Sequence, residues 1–355
     1  MRTYIGICLV AVSLFSLDGW AQPDTQINFF GHLDAGMTWN DHDHGHGEAE
    51  SHPLGLFVGE HDVFIQSRLH DRLSVLGEVT VGPKSGGGYA TSIERLRLMY
   101  EVHPYFSVLV GKMHSPVNYW NDTYHHGRIF FPTIDRPSNF AAFVPIHTLG
   151  VRLQGQNIGK SKFGYDVVVG NGIESTEVSG SGKTLSYLYA VHFKPIRGAR
   201  FGVSYYHEKL ENNEHGAHAH AGSQQSDYSG PLDFRMASAS VAYFGDKWEF
   251  LNEFAYTQTA TDSLGSADNF SNYTYLGYRL TTAGTALLGF DWLQRDANDL
   301  YTTTPNQHKI LAGWRQEFGA FCNVKVMAEY FSRKGSHHGH NLEEVALKIQ
   351  LAYAF

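Results

Sequence analysis

The last eleven residues, VALKIQLAYAF (345–355), constrain the fold more than any other stretch of this chain. Every second residue from Val345 to Phe355 is apolar or aromatic, and the residues between them, from Ala346 to Ala354, are small or polar. A period of two is typical of a β-strand, because successive side chains of a strand point to opposite faces. The apolar face is long enough to cross a bilayer as a tilted strand, which needs ~9–11 residues.

The same alternation recurs along the chain, for example in 73–81, 163–169 and 185–193. Marking strands and turns predicts sixteen strands, at residues 27–39, 55–69, 73–82, 92–102, 105–113, 147–156, 162–170, 184–194, 199–209, 234–244, 247–257, 270–280, 285–295, 307–317, 320–332 and 342–355. Aromatic residues make up 14% of the chain and charged residues only 17%, and no later apolar run is long enough for a transmembrane helix. The predicted fold is therefore all-β, a transmembrane antiparallel β-barrel of about sixteen strands.

The N-terminus predicts export from the cytoplasm. Arg2 is followed by a nearly continuous apolar run at 4–17, and Ala21 precedes a polar stretch, which is the layout of a secretory signal peptide at 1–21. The barrel then occupies 22–355, where Cys322 is the single cysteine, so no intramolecular disulfide can form. The formal net charge of −8 argues against a nucleic-acid partner.

The predicted connections fall into two alternating classes. Tight turns are expected at 70–72, 103–105, 157–161, 195–198, 245–247, 281–284 and 318–320. Longer polar loops are expected at 40–54, 83–91, 114–146, 171–183, 210–233, 258–269, 296–306 and 333–341. A barrel with both termini in the periplasm places its short turns there and its long loops outside the cell. The third loop, 114–146, is the longest and too apolar for a solvated segment, so we expect it to fold into the barrel interior.

Length, signal peptide, sixteen predicted strands and the terminal Phe355 together make the chain resemble the Gram-negative outer-membrane porins. The resemblance covers the whole mature chain at the level of architecture and implies a barrel in the bacterial outer membrane, in contact with its lipid. It implies passive diffusion of small hydrophilic solutes or ions without a cofactor, a constriction formed by the third loop, and a homotrimer.

In porins a basic wall faces acids on the inward loop and sets up a transverse field, and this chain looks similar. The basic candidates of the wall are Arg68, Arg95, Arg97 and Arg152. The candidates in the third loop are the acids Asp122 and Asp135, with His125, His126, Arg128 and Arg136 beside them. Further inward-facing acids leave the preference between anions and cations open, and these side chains also fit an interpretation as ordinary solvated lumen residues.

Three histidine-rich stretches lie in predicted outer loops, and general porins do not need them. The candidate metal ligands are Asp41, His42, Asp43, His44, His46, His52, His215, His218, His220, His337, His338 and His340. Imidazole and carboxylate groups are suited to weak binding of Zn²⁺, Cu²⁺ or Ni²⁺. These ions would then be solutes that pass through the pore. Hydrated low-complexity loops remain the alternative interpretation.

Two other functions stay open at this point. The loops of an outer-membrane receptor or adhesin would form a binding surface without an open pore, and protonated histidine loops would repel one another and gate the pore with pH. We do not expect an enzyme, because the sequence has neither a G-x-S-x-G nucleophile elbow nor an H-E-x-x-H motif.

Overall fold

The computed structural model describes residues 24–42, 50–84, 87–124, 127–173, 185–210, 230–337 and 340–355. It contains sixteen strands: β1 (Asp24–His42), β2 (Glu50–His70), β3 (Leu73–Pro83), β4 (Tyr89–His103), β5 (Phe106–His114), β6 (His147–Ile158), β7 (Phe163–Gly170), β8 (Ser186–Phe193), β9 (Ala199–Leu210), β10 (Leu232–Phe244), β11 (Trp248–Thr261), β12 (Gly265–Arg279), β13 (Gly284–Gln294), β14 (Gln307–Glu317), β15 (Cys322–His337) and β16 (His340–Ala354). The signal peptide predicted at 1–21 lies outside the described residues and stays a prediction.

The strands form one closed antiparallel barrel, as predicted. Each strand pairs with its neighbours in sequence, and β1 pairs with β16 over a ladder that runs from Phe30 opposite Ala354 to His42 opposite Leu342. Closure leaves the sheet without a free edge, so the backbone groups of every strand can be satisfied inside a bilayer.

Side chains alternate between the lumen and the outer surface, and β8 illustrates the pattern. The side chains on its inner face are buried, namely those of Ser186, Leu188, Ala190 and His192, whereas those on its outer face are exposed, namely those of Tyr187, Tyr189, Val191 and Phe193. The exposed face is apolar and aromatic, as the lipid-facing surface of a membrane barrel must be.

The connections differ from the predicted strict alternation of short and long. Residues 258–269 were expected to form a long loop, but β11 ends at Thr261 and β12 begins at Gly265, whose φ of 84° suits a tight turn. Likewise, β15 and β16 extend through most of 333–341. The prediction was wrong there because strands continue past the apolar band, where polar side chains pair across the ladder: Tyr256 donates a hydrogen bond to Asp268.

In the described part of the long connection between β5 and β6 lie three short helices: α1 (Tyr119–Thr123), a 3₁₀ helix (Arg128–Phe130) and α2 (Asn139–Ala142). Within the described ranges, no helix has the length and apolarity that a membrane crossing requires.

The seam between β1 and its two neighbours is closed by a side-chain bridge over a glycine. Gly31 lies opposite His61 on β2 and opposite Tyr353 on β16. The Tyr353 hydroxyl is 2.8 Å from Nε2 of His61, so the two side chains meet across the space that Gly31 leaves. A Cβ at position 31 would lie 2.7 Å from both of them. The glycine therefore allows one hydrogen bond to span three strands at the closure.

We expect Tyr353→Phe to lower the free energy of unfolding by ~1 kcal/mol, because it removes this hydrogen bond and little else. Urea unfolding in detergent micelles, followed by intrinsic fluorescence, measures the change. Tyr243→Phe is the matched control: Tyr243 is an outward tyrosine that makes no hydrogen bond to any residue the structure describes, and its effect should stay within ~0.5 kcal/mol. Equal losses in the two variants would contradict the bridge.

Candidate functional site: a lumen narrowed by the connection between β5 and β6

The described part of residues 115–146, here called the inner segment, packs inside the barrel against β11 to β15. Trp120 and Phe131 are almost completely buried, and the Trp120 ring lies 5.3 Å from that of Tyr273 and 5.2 Å from that of Phe131. Inward-facing apolar residues of the wall join this cluster, namely Leu251, Tyr275, Leu287, Leu311 and Met327. Burial of so much apolar surface fixes this part of the segment to one side of the lumen.

A second apolar cluster continues round the wall from β7 to β11. Val117, Phe143 and Val144 of the inner segment pack there, against side chains that include Val168, Leu188, Tyr206, Phe234 and Ala255. Tyr301, from the connection between β13 and β14, also enters this cluster, with its ring 4.4 Å from that of Phe234. The wall from β7 to β15 is therefore covered by protein rather than by water.

Two carboxylates of the wall hold the ends of the short helices. Glu253 Oε1 accepts a hydrogen bond from the backbone N–H of Trp120, at 2.9 Å, in the first turn of α1. Asp291 Oδ2 accepts two, from the backbone N–H and from the hydroxyl of Ser138, both at 2.7 Å, at the start of α2. The first N–H groups of a helix have no partner inside it, so these contacts satisfy donors that would otherwise be buried unpaired.

Asp122 and Asp135 anchor the inner segment through cations of the wall. Asp122 pairs with Arg200 and lies 3.6 Å from Arg152, whereas Asp135 lies 2.5 Å from Lys348 and 3.3 Å from Lys309. Burial acts to raise the pKa of each carboxyl, but the neighbouring cations outweigh it, so both pKa values lie below the ordinary value for aspartate. Both side chains therefore stay ionised and paired at neutral pH.

The basic residues of the inner segment face the opposite wall. Arg128 approaches Glu60 of β2 at 3.4 Å, and Arg136 approaches the same carboxylate oxygen at 3.8 Å. All three side chains are between 16% and 25% exposed, so each keeps partial access to solvent. Burial and the nearby charge of Arg128 lower the pKa of Arg136 to about 10, so it is still cationic at neutral pH.

Beside Glu60 the arrangement is the reverse of the expected basic wall facing an acidic loop, although Asp122 and Asp135 do meet cations of the wall. The structure brings Arg152 and Asp122 together, but Arg152 also pairs with Asp166 at 2.7 Å, and Arg95 pairs with Glu78 at 2.5 Å. Those cations are thus neutralised within the wall. Across the opening, the inner segment presents the positive charges and β2 the negative one.

The remaining predicted residues of the constriction are placed as follows. Arg97 is half-buried on β4, within electrostatic reach of Arg95, Arg152 and Asp122. Arg68 lies at the short-turn end of the barrel, where it lines a small polar cavity together with Asp24, His70, Asp71 and Glu101, and not beside the inner segment. His125 and His126 lie outside the described residues.

The histidine-rich stretches also lie mostly outside the described residues, which include none of His44, His46, His215, His218, His220, His338 and Asp43. The backbone is described for the rest: Asp41 lies opposite Glu343, His42 opposite Leu342, His52 opposite Thr38, and His337 opposite His340. Within the described part of the chain, no group of three His, Cys, Asp or Glu residues could hold a metal ion.

Sequence reasoning missed the partners that hold the inner segment. Glu60, Arg200, Glu253, Asp291, Lys309 and Lys348 all face the lumen from β-strands. A signal was present, because each is a charged residue on the inward face of its strand. Sequence alone, however, does not say which of many inward charges meets the loop. The inward position of Tyr301 was also missed, although Leu300 and Tyr301 form an apolar pair in a polar loop.

No protein-family profile matches the chain, and no curated protein matches it in sequence. Solved structures do match. An anion-selective porin from Comamonas acidovorans is similar with a TM-score of 0.63 at 11% identity, over 94% of this chain and 100% of that one. The outer-membrane channel DcaP of Acinetobacter baumannii gives a TM-score of 0.59 at 11% identity, over 93% and 97%. OmpT of Vibrio cholerae, solved in a trimer form, gives 0.59 at 11%, over 93% and 99%. At such identity the likeness shows the fold, which is that of outer-membrane porins.

The two lowered aspartate pKa values predict how the anchoring depends on pH. A carboxyl whose pKa falls on folding contributes stabilisation that is complete above its ordinary pKa of ~4 and is lost as pH falls through the lowered value. We therefore expect conductance to stay steady from neutral pH to ~4 and to become larger and noisier below that, as the inner segment loosens. Single-channel recording across this range measures it.

Asp135→Asn should show the noisy, larger conductance already at neutral pH, because Lys309 and Lys348 lose the carboxylate that holds the segment. Asp71→Asn, at the short-turn end, serves as the control and should behave like the wild type. A change centred near pH 6 would instead indicate histidine protonation.

Proposed function

We propose that the protein is an outer-membrane channel through which small hydrophilic solutes diffuse passively. The observation that carries the proposal is the division of the lumen into an apolar half, packed by the inner segment, and a charged half along β1 to β6. The likeness to solved outer-membrane channels and porins supports it. Such a channel needs neither a cofactor nor an energy source.

The proposed route follows the charged half. A solute would pass between the inner segment and β2 to β4, beside Glu60, Arg128 and Arg136. Because the apolar half is packed, only small solutes would fit, and the paired charges along the route would favour hydrophilic ones. A homotrimer is part of the proposal, supported by the trimer form in which a protein of the same fold was solved.

Capture of transition-metal ions at the outer rim is a second candidate function. Its support is the barrel closure: β1 and β16 are neighbours, so the histidine-rich stretches at 41–52 and 336–340 are carried by adjoining strands although they are distant in sequence. Weak, multivalent capture would raise the ion concentration at the pore mouth, while weak sites would still release the ions into the lumen.

Deleting residues 120–136 should raise single-channel conductance severalfold in a planar bilayer, because the deletion removes the part of the inner segment that faces β2. Deleting residues 212–226, which leaves the inner segment intact, is the control and should change conductance much less. Heat-modifiable migration in gels confirms that each variant forms a barrel. An unchanged conductance after the first deletion would show that this segment does not narrow the route. A wild-type barrel that conducts no ions would favour the receptor or adhesin.

Changing the ten histidines of the three stretches to Asn should abolish binding of Zn²⁺, Cu²⁺ and Ni²⁺ in titration calorimetry at neutral pH. In the wild type, binding should weaken toward pH 5, because neutral imidazole is the ligand and its ordinary pKa is ~6.5. Equal binding by both proteins would reject metal capture and leave either a pH gate or a channel with incidental histidines.

A further inference from the structure

We propose that a hydrogen-bonded network inside the barrel wall sets the width of the gap between Glu60 and Arg128. The network, here called the wall network, consists of the side chains of His32, Asp34, Gln350 and Lys325. These are positioning residues, because they hold the backbone on each side of the gap and do not themselves form it. The inference rests on the proposed channel function, in which this gap is part of the route.

On the side of β2, the wall network begins at a β-bulge. Gly59 and Glu60 of β2 both lie opposite His32 of β1, where the ladder between the two strands shifts its register. The backbone N–H of Glu60 donates a hydrogen bond of 3.0 Å to Nε2 of His32. The ring lies over Gly59, where an added Cβ would overlap it. The backbone of Glu60 is therefore tied to β1 through a buried side chain.

The partners of His32 determine where its proton lies. A backbone N–H can only donate, so Nε2 accepts and carries no hydrogen. Nδ1 lies 2.9 Å from Oδ2 of Asp34 and donates to that carboxylate. The imidazole is thus neutral in this arrangement, and each of its nitrogens has a partner of the right kind.

Gln350 of β16 continues the wall network across the barrel closure. Its Nε2 donates a hydrogen bond of 3.0 Å to Oδ1 of Asp34, and its Oε1 accepts one of 3.1 Å from Nζ of Lys325 on β15. Gln350 is 1% exposed and Lys325 is completely buried. Loss of one contact would leave a buried polar group without its partner, which is costly, so the network holds together as a unit.

On the other side of the gap, the wall network ends on the backbone of the inner segment. Nζ of Lys325 donates a hydrogen bond of 2.6 Å to the carbonyl oxygen of Arg128. Beside it, Asn323 donates one of 2.7 Å to the carbonyl oxygen of Ile129. Both ends of the network are therefore backbone atoms, one of Glu60 and one of Arg128. The network fixes the separation of these two backbones whatever side chains they carry.

The distances across the gap fit this interpretation. Nη2 of Arg128 lies 3.4 Å from Oε2 of Glu60, and Nη2 of Arg136 lies 3.8 Å from the same oxygen. An arginine and a carboxylate that are free to approach each other settle at ~2.7–2.9 Å. The longer contacts are those of two backbones held at a set distance rather than drawn together by their charges.

Cross-linkers of graded length measure this separation in the whole barrel. Glu60→Cys and Arg128→Cys, combined with Cys322→Ser, leave the wall network intact, because it holds backbone atoms at both positions. Methanethiosulfonate cross-linkers should then join the two thiols with a clear preference for one length. Adding Gln350→Leu cuts the network at its centre. We expect the yield to fall at the preferred length and to rise at shorter and longer ones.

Gln307→Leu is the matched control. Gln307 is also a buried, inward-facing glutamine, on β14, but it accepts its hydrogen bond from Arg333, outside the wall network. This variant should keep the original length preference. His32→Leu should lose the preference as Gln350→Leu does. His32→Gln should retain it, because an amide can accept from the N–H of Glu60 and donate to Asp34.

The outcomes separate the wall network from the channel. Heat-modifiable migration identifies the variants that form closed barrels, and only these are compared. If Gln350→Leu or His32→Leu keeps the original length preference, or if Gln307→Leu loses it, the wall network is overturned. Single-channel recording of the wild type tests the proposed function on its own: a barrel without ion current would reject the channel and leave the cross-linking result unaffected.

Discussion

Backbone hydrogen bonding in a medium without water is the constraint on which the rest of this structure depends. Within a bilayer every strand must pair on both sides, so β1 has to meet β16, and the bridge from His61 to Tyr353 over Gly31 reinforces that junction. Closing sixteen strands makes a ring too wide for its own side chains to fill. The inner segment fills part of the remaining space. It supplies, from a single connection, the apolar groups that pack one half of the lumen.

The two halves of the lumen are held by different interactions. On the side of β7 to β15, aromatic and aliphatic side chains of wall and segment bury one another, and the wall carboxylates Glu253 and Asp291 satisfy backbone donors. Ion pairs to Arg200 and Lys309 also hold the segment on that side, whereas on the side of β1 to β6 the contacts are mainly between charges, within the wall or across the gap. Arg136 lies at the border between the two halves. The flat face of its guanidinium packs on Phe131 and Phe140, whereas the edge of the group is cationic.

The barrel could be predicted from sequence because its rules are local. Alternation in 345–355 and in the other strands follows from lipid on one side and lumen on the other, and the apolar character of 114–146 marks a segment that cannot remain in water. Loop lengths were less predictable, since polar residues such as Gln258 and Asp268 also pair across neighbouring strands. The polarity of the gap could not be predicted at all. It depends on how the segment crosses the lumen, which sets Asp135 against two lysines and turns Arg136 toward Glu60.

The inner segment also connects opposite sides of the barrel wall. Its ion pairs reach Arg152 and Arg200 on β6 and β9 at one end, and Lys309 and Lys348 on β14 and β16 at the other. A hollow barrel is easily deformed to an oval cross-section by lateral pressure. A barrel whose opposite walls are joined by a packed segment resists that deformation. The inner segment would therefore keep the cross-section of the opening constant when the tension or thickness of the surrounding bilayer changes.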